Sequence, residues 1–459
     1  MRSRFKKLLG LSALCLCSYF AVTTLLFTMQ AKRSALTQTM DDLPILPAPK
    51  ASSRPLIIAP HPDDETLGCG GLLAMATSVG ADARILFLTD GDGYSAPAMF
   101  LAGQPPSPED YRELGQVRRR EAQAAARELG LQSSQVRFLG MPDRGLMAMA
   151  QSGKEYVSPY TQLDQYAGRP YRLGAMIEAV AAVIVDYGPT EVYTTHPLDD
   201  HADHVAAAFV VEEAMRRVKS RGLLDQECRM IYYIVHRGDW PQPMGHHPEL
   251  SLLPPKAMVD AGYQWAKLPL TPEALAAKEA ALKRHQSQRT VSGKFLNSFV
   301  RRNELFVLPE AEPPKLPALN SVIDGNPDEP VRLVHQDPSD DDAARRLQPG
   351  ADICEVYAGR DKRGFYISVK ARGDMGPQCQ MRVDLIAFDA RGNETRTTHT
   401  FSALQTVRRK NGVRAASRGQ WFEARIPIST KPGQALYLQL SSQIVGVKVD
   451  QSGFVRLPD

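Results

Sequence analysis

Two short stretches carry the residue types that metal-assisted hydrolysis needs. In "PHPDDE", Pro60 to Glu65, one histidine and three acidic residues follow the apolar run Leu56 to Ala59 and precede a glycine-rich one. In "THPLDDHADH", Thr195 to His204, His196, His201 and His204 are interleaved with Asp199, Asp200 and Asp203 after the β-branched run Glu191 to Thr195. A histidine plus a carboxylate from one loop and a histidine from the other make a three-ligand centre that leaves a position open for water, as catalytic zinc requires. A carboxylate that stays off the metal is free to move a proton.

Plainer readings of the same residues explain less. Capping accounts for one aspartate at a helix N-terminus, not for three acids and a histidine. Gly68, Gly70 and Gly71 do not follow G-x-G-x-x-G, and the carboxylates before them would repel a pyrophosphate, so no nucleotide cofactor is expected. These glycines instead predict close packing of a helix on a sheet. A single histidine of the second stretch would be a surface or packing residue, but three within nine residues after a strand reverse that. No C-x-x-C occurs, which excludes a thiolate zinc site.

The elements that must position these loops alternate in type. Strand-like runs at Leu56 to Ala59, Ala83 to Leu88, Val136 to Leu139, Glu191 to Thr195 and Met230 to Val235 are separated by helical patterns. Those fall at Glu65 to Ser78, Glu109 to Leu129, Arg172 to Val185 and Asp203 to Val218. The alternation predicts an α/β fold, a Rossmann-like, mostly parallel sheet with helices on both faces, whose ligands bind at the carboxyl ends of the strands. Prolines 309, 313, 314 and 317 then mark a boundary, and short alternating runs such as Met381 to Phe388 and Ala435 to Leu440 predict an all-β, sandwich-like domain.

The expected organisation is an N-terminal anchor over 1–30, a linker over 31–53, a catalytic domain over 54–308, a proline-rich linker over 309–320 and an accessory domain over 321–459. Leu8 to Met29 carries no charge and would span roughly 33 Å as a helix, enough for a bilayer. Arg2, Arg4, Lys6 and Lys7 precede it, which favours the N-terminus inside. The expectation is a single-pass transmembrane helix in a bacterial-type inner membrane with a periplasmic catalytic domain. A net charge of +4 over 459 residues implies no nucleic-acid partner. Cys354 and Cys379 lie on neighbouring strand-like runs and are open to either a disulfide or two free, buried thiols.

Over Arg54 to Phe306 the sequence resembles the PIG-L or LmbE-like zinc-dependent N-deacetylases. The resemblance rests on "PHPDDE" and "HPLDDHADH", with fainter echoes in "RRREAQAAARELG" (118–130), "FLGMPDRGL" (138–146), "HQSQ" (285–288) and "RNELF" (302–306). It implies Zn2+ bound by His61, Asp64 and His204, Asp63 as general base, and His201 beside the scissile carbonyl. Arg118, Asp143 and Arg144 match segments near the sugar pocket, and Asp203 is placed to orient a histidine or to cap the following helix. Two histidines and an aspartate also suit Fe2+. The implied reaction is removal of acetate from an N-acetylated amino sugar, and the anchor points to a cell-envelope glycoconjugate: lipopolysaccharide core, glycolipid or polysaccharide precursor. The alternatives are a zinc amidohydrolase for a non-sugar acylated amine, and a noncatalytic carbohydrate-binding envelope protein.

Overall fold

The computed structural model describes residues 43–457 except 261, 309–314, 330, 338–344, 346, 362–363, 404–407, 411 and 429–433. The main elements of the first part are β1 (Pro55–Ala59), α1 (Asp64–Ser78), β2 (Arg84–Thr89), α2 (Ser95–Ala102), α3 (Pro108–Glu128), β3 (Val136–Met141), α4 (Leu146–Ser152) and α5 (Leu173–Tyr187). They continue through β4 (Glu191–Thr195), α6 (Ala202–Ser220), β5 (Arg229–Tyr233), β6 (Trp265–Pro269), α7 (Pro272–Leu282), α8 (Gln286–Asn297) and β7 (Asn303–Val307).

These strands form one sheet in the order β3-β2-β1-β4-β5-β7-β6. The first five are parallel, whereas β7 pairs antiparallel with both β5 and β6. Strand residues alternate between two cores. Ile57, Ile85, Phe87 and Tyr193 pack beneath α1 and α3. Leu56, Ile58, Leu86 and Val192 pack against α4, α5 and α6. Period-two alternation on β1, β2 and β4 is what lets helices cover both faces. Strand order reverses between β1 and β4, so the loops after these two strands face one crevice.

The C-terminal region is β-rich. One sheet contains β8 (Ile353–Asp361), β9 (Gly364–Ala371), β12 (Val413–Arg418) and β13 (Trp421–Ile426); a second contains β10 (Cys379–Phe388), β11 (Glu394–Ser402) and β14 (Ala435–Ile444). Val356, Phe365 and Ile367 of the first meet Met381, Val383 and Leu438 of the second in a common core, so the sheets lie face to face. The second sheet is also buried on its other side: Ile386, Phe388 and Tyr437 join the core formed by α5 and α6.

One expectation is corrected. The inner-membrane, single-pass placement is overturned, since no helix among the described residues is long and apolar enough to cross a membrane; the segment expected to span, residues 8–29, lies outside the described residues. Leu46, ahead of β1, packs on the α/β sheet. Leu46 N–H donates to Lys267 O at 2.8 Å, and Leu46 is buried against β6. Ala318 and Leu319 pair with β8. Cys69, Cys228, Cys354 and Cys379 are all free.

Helix α1 carries Asp64 and is held unusually close to its surroundings. Lys278 and Glu304, both fully buried, pair at 2.7 Å. Lys278 also donates to Leu67 O, and Glu304 accepts the N–H groups of Gly71 and Leu72. At Gly68 a Cβ would intrude on the Tyr233 ring of β5. Gly68→Ala is therefore expected to cost about 1–3 kcal/mol through overpacking, read as a lower midpoint in urea unfolding at unchanged slope.

Candidate functional site

Every parallel strand contributes a residue from its carboxyl end. His61 and Asp63 follow β1, Tyr94 follows β2, Asp143 follows β3, His201 follows β4 and His236 follows β5. All six line one cavity of about 210 Å3, together with Asp64, Arg118, Arg144, Gln288 and Phe295. His204, in the first turn of α6, reaches the same point from behind.

Three donor atoms form a near-equilateral triangle. His61 Nδ1 lies 3.1 Å from Asp64 Oδ2, His204 Nε2 lies 3.2 Å from the same oxygen, and the two ring nitrogens are 3.2 Å apart. Donors about 2.0–2.1 Å from a tetrahedral zinc stand roughly 3.3 Å from each other. The triangle thus has the size of three corners around such an ion. The far sides of both rings are held as ligating histidines require. His204 Nδ1 meets Asp199 Oδ2 at 3.1 Å, and His61 Nε2 meets Asp143 Oδ1 at 3.1 Å and Asp203 Oδ2 at 3.4 Å. Burial opposes the charge on Asp64, but His204 and His61 hold its carboxyl well below the ordinary range.

Asp63 is set apart from this group. It occupies the N-cap position of α1, yet its side chain makes no capping hydrogen bond, and its φ of 140° is a strained conformation for a residue with a side chain. The backbone is fixed by Glu65, whose Oε2 accepts the Asp63 N–H at 3.0 Å; Glu65 is itself braced by Thr66 and His285. Arg118 Nη2 lies 3.3 Å from Asp63 Oδ1 and donates to Pro62 O, while its Nη1 donates to Gly91 O. Burial raises Asp63 to about 6, against the pull of Arg118. A carboxylate with that affinity for a proton can both accept and return one near neutral pH.

His201 points into the cavity with its tautomer fixed. Its Nδ1 accepts the Asp203 N–H at 3.3 Å, so the hydrogen of the neutral ring sits on Nε2. Burial, with His61 and His204 nearby, holds its pKa well below the ordinary value and keeps the ring neutral. Asp203 is not the cap of α6, a position taken by His201. Instead it accepts the N–H groups of Arg144 at 2.6 Å and Leu146 at 3.1 Å, tying the β3 loop to His61. Arg118 and Asp143 are buried in the site, whereas the exposed Arg144 stands at the mouth with its guanidinium over the Tyr94 ring. His196 is a packing residue against Tyr232 and Tyr263, outside the cavity.

His236 is a lining residue that the sequence reading missed. It can join Asp64 and His204 around one point, and its ring stacks on Phe295 at 5.3 Å. Its signal was available, because it directly follows the predicted strand Met230 to Val235. Gln288, Ser292 and Phe295 were missed because α8 was not recognised as a helix, although "HQSQ" marks its start.

The PIG-L family, described as GlcNAc-PI de-N-acetylase, matches residues 56–215. The chain is 28% identical over 290 residues to the 1D-myo-inositol 2-acetamido-2-deoxy-alpha-D-glucopyranoside deacetylase of Streptomyces avermitilis, covering 58% of this chain and 90% of that one. It is 31% identical over 162 residues to the 2'-N-acetylparomamine deacetylase of Streptomyces fradiae, covering 35% of this chain and 52% of that one. Among solved structures, the N,N'-diacetylchitobiose deacetylase of Pyrococcus horikoshii shares 18% identity over 56% of this chain and 84% of that chain, with a TM-score of 0.37. With both histidine-aspartate loops inside the matched segment, residues 56–215 are a PIG-L domain.

Proposed function

We propose that the protein is a metal-dependent N-deacetylase that hydrolyses the acetamide of an N-acetylated amino sugar, releasing acetate and the free amine. The observation that carries this reading is the donor triangle of His61, Asp64 and His204 beside a buried carboxylate, Asp63, that takes no part in it. Zn2+ held there supplies Lewis-acid polarisation of the acetamide and an acidified water at neutral pH; the same donors suit Fe2+. Asp63 takes the proton of the attacking water and delivers it to the departing nitrogen. His201 donates from Nε2 to the oxygen on which negative charge develops. Asp143 and Asp203 keep the His61 ring turned so that Nδ1 faces the site.

The cavity suits a sugar. Tyr94 and Phe295 line it with aromatic rings, while Arg118, Asp143, Arg144 and Gln288 offer hydrogen-bonding groups. Trp240 and Trp265 lie buried in the core and contribute nothing to it. A protein that only binds carbohydrate has no use for a strained, buried carboxylate beside a metal-sized donor set. The division of labour proposed assigns catalysis to residues 54–308, with 321–459 as the accessory part. The cell-envelope setting rested on the anchor, and the reading no longer includes it.

The test is acetate release from a panel of N-acetylated amino sugars. Activity is expected to vanish on chelation and return on adding zinc. A protein that holds zinc yet releases acetate from no amino sugar in the panel would redirect the search to non-sugar acylated amines.

A further inference from the structure

The loop that carries His201 and leads to His204 is supported from outside the α/β part. We propose that the C-terminal β-rich region acts as an intramolecular clamp on the 196–204 loop, with Asp337 and Gly453 as positioning residues for the metal site. This rests on the metal-dependent reading above.

Within the α/β part the loop is laced to the segment after β5. Asp199 Oδ2 accepts the N–H groups of Val235 and His236, both at 3.0 Å, and Asp200 N–H donates to His236 O at 2.8 Å. Arg237 sits at the end of this lacing, and its buried guanidinium donates to Leu198 O at 2.8 Å and to Asp200 Oδ1 at 3.2 Å. Asp200 is partly open to solvent, whereas the Arg237 side chain is buried. The buried Asp337, from the C-terminal region, meets Arg237 Nη2 at 3.3 Å. Asp337 is in turn fixed by Arg345 at 3.3 Å, and Arg345 Nε by Asp450 at 3.0 Å. The charge chain runs Asp450, Arg345, Asp337, Arg237, and ends on the carbonyl of Leu198 in the catalytic loop.

Three further contacts reach the same loop and the helix behind it. Gly453 packs its backbone against Pro197, so closely that a Cβ there would lie 2.8 Å from Pro197 O. Phe454 stacks on Phe209 of α6 with centroids 4.2 Å apart, and Tyr437 donates to Glu213 of α6 at 2.9 Å. Since α6 carries His204 in its first turn, both the loop and the helix are seated by the C-terminal region. Contacts beyond the ligands set metal affinity by holding ligand geometry. A clamp of this kind therefore acts on the metal and not only on stability.

The experiment compares full-length wild type with Asp337→Asn and Gly453→Ala, each first checked for folding by circular dichroism and melting temperature. Zinc affinity is read by competition with a chromophoric chelator, and ligand geometry by the d–d absorption of the cobalt-loaded protein. A purely structural contact lowers the melting temperature but leaves both readouts of the folded protein unmoved. Asp337→Asn is expected to raise the zinc Kd about tenfold, and Gly453→Ala, by displacing Pro197, to change the cobalt spectrum. Should Asp337→Asn fail to fold, Gly453→Ala decides alone. Folded variants with zinc Kd within about twofold of wild type and an unchanged cobalt spectrum would overturn the clamp while leaving the metal site standing. Wild type that takes up no zinc would sink the metal reading and the clamp with it.

Discussion

Asp63→Asn is expected to lower kcat by about 10^2 to 10^4-fold, the range that a positioned general base contributes, while leaving zinc affinity close to that of wild type. The reason is geometric: Asp63 is absent from the donor triangle but lines the same cavity, so its loss removes a proton acceptor without removing a ligand. Asparagine keeps the shape and cannot take a proton. Steady-state kinetics on the best amino sugar, alongside zinc titration of the same preparation, separates the two effects. A variant that loses zinc along with activity would make Asp63 a ligand, contrary to this assignment. Asp63→Gly offers a second check, since glycine adopts φ 140° without strain. It is expected to be as inactive as the asparagine variant, yet more resistant to denaturant by about 1–3 kcal/mol, the cost of a strained backbone position.

Asp199→Asn should raise the zinc Kd about 10 to 100-fold, as loss of an outer partner of a ligating histidine does. One carboxylate here does several things. Its Oδ2 meets His204 Nδ1 and accepts two N–H groups from the segment after β5, while Oδ1 accepts the His201 N–H at 2.9 Å. An amide in its place keeps some of those bonds but no longer draws the hydrogen of His204 to Nδ1 as strongly, so the lone pair on Nε2 is less well presented. Chelator competition measures the change. An unaltered Kd in a folded variant would mean that the His204 ring is oriented by packing alone.

The catalytic loops were legible because chemistry and periodicity coincide there: acids and histidines stand where the strand-like runs Leu56 to Ala59 and Glu191 to Thr195 end. What those loops bring together was harder to see. Asp143 meets His61 only because β3 lies two strands away from β1 in the same sheet, a neighbourhood that sequence order does not reveal. Arg118 reads as surface within a basic run, but the turn of α3 directs it inward to Pro62 and Asp63. The intimacy of the C-terminal sheet with α6 left a trace in "MRVDLIAF", where strict alternation over Met381 to Asp384 gives way to continuous apolar residues from Leu385 to Phe388. Leu385 faces the sandwich and Ile386 faces the α/β core, and a strand buried on both sides no longer needs to alternate.

That doubly buried sheet sets an order of events during synthesis. Phe209 and its neighbours on α6 leave the ribosome more than two hundred residues before Tyr437 and Phe454, which cover them. At about 5–20 residues per second, the nascent α/β part would wait roughly 10 to 50 seconds with one helical face open to water, long enough to attract chaperones or to aggregate. Its metal loop, by the same timetable, is seated among the last parts of the molecule.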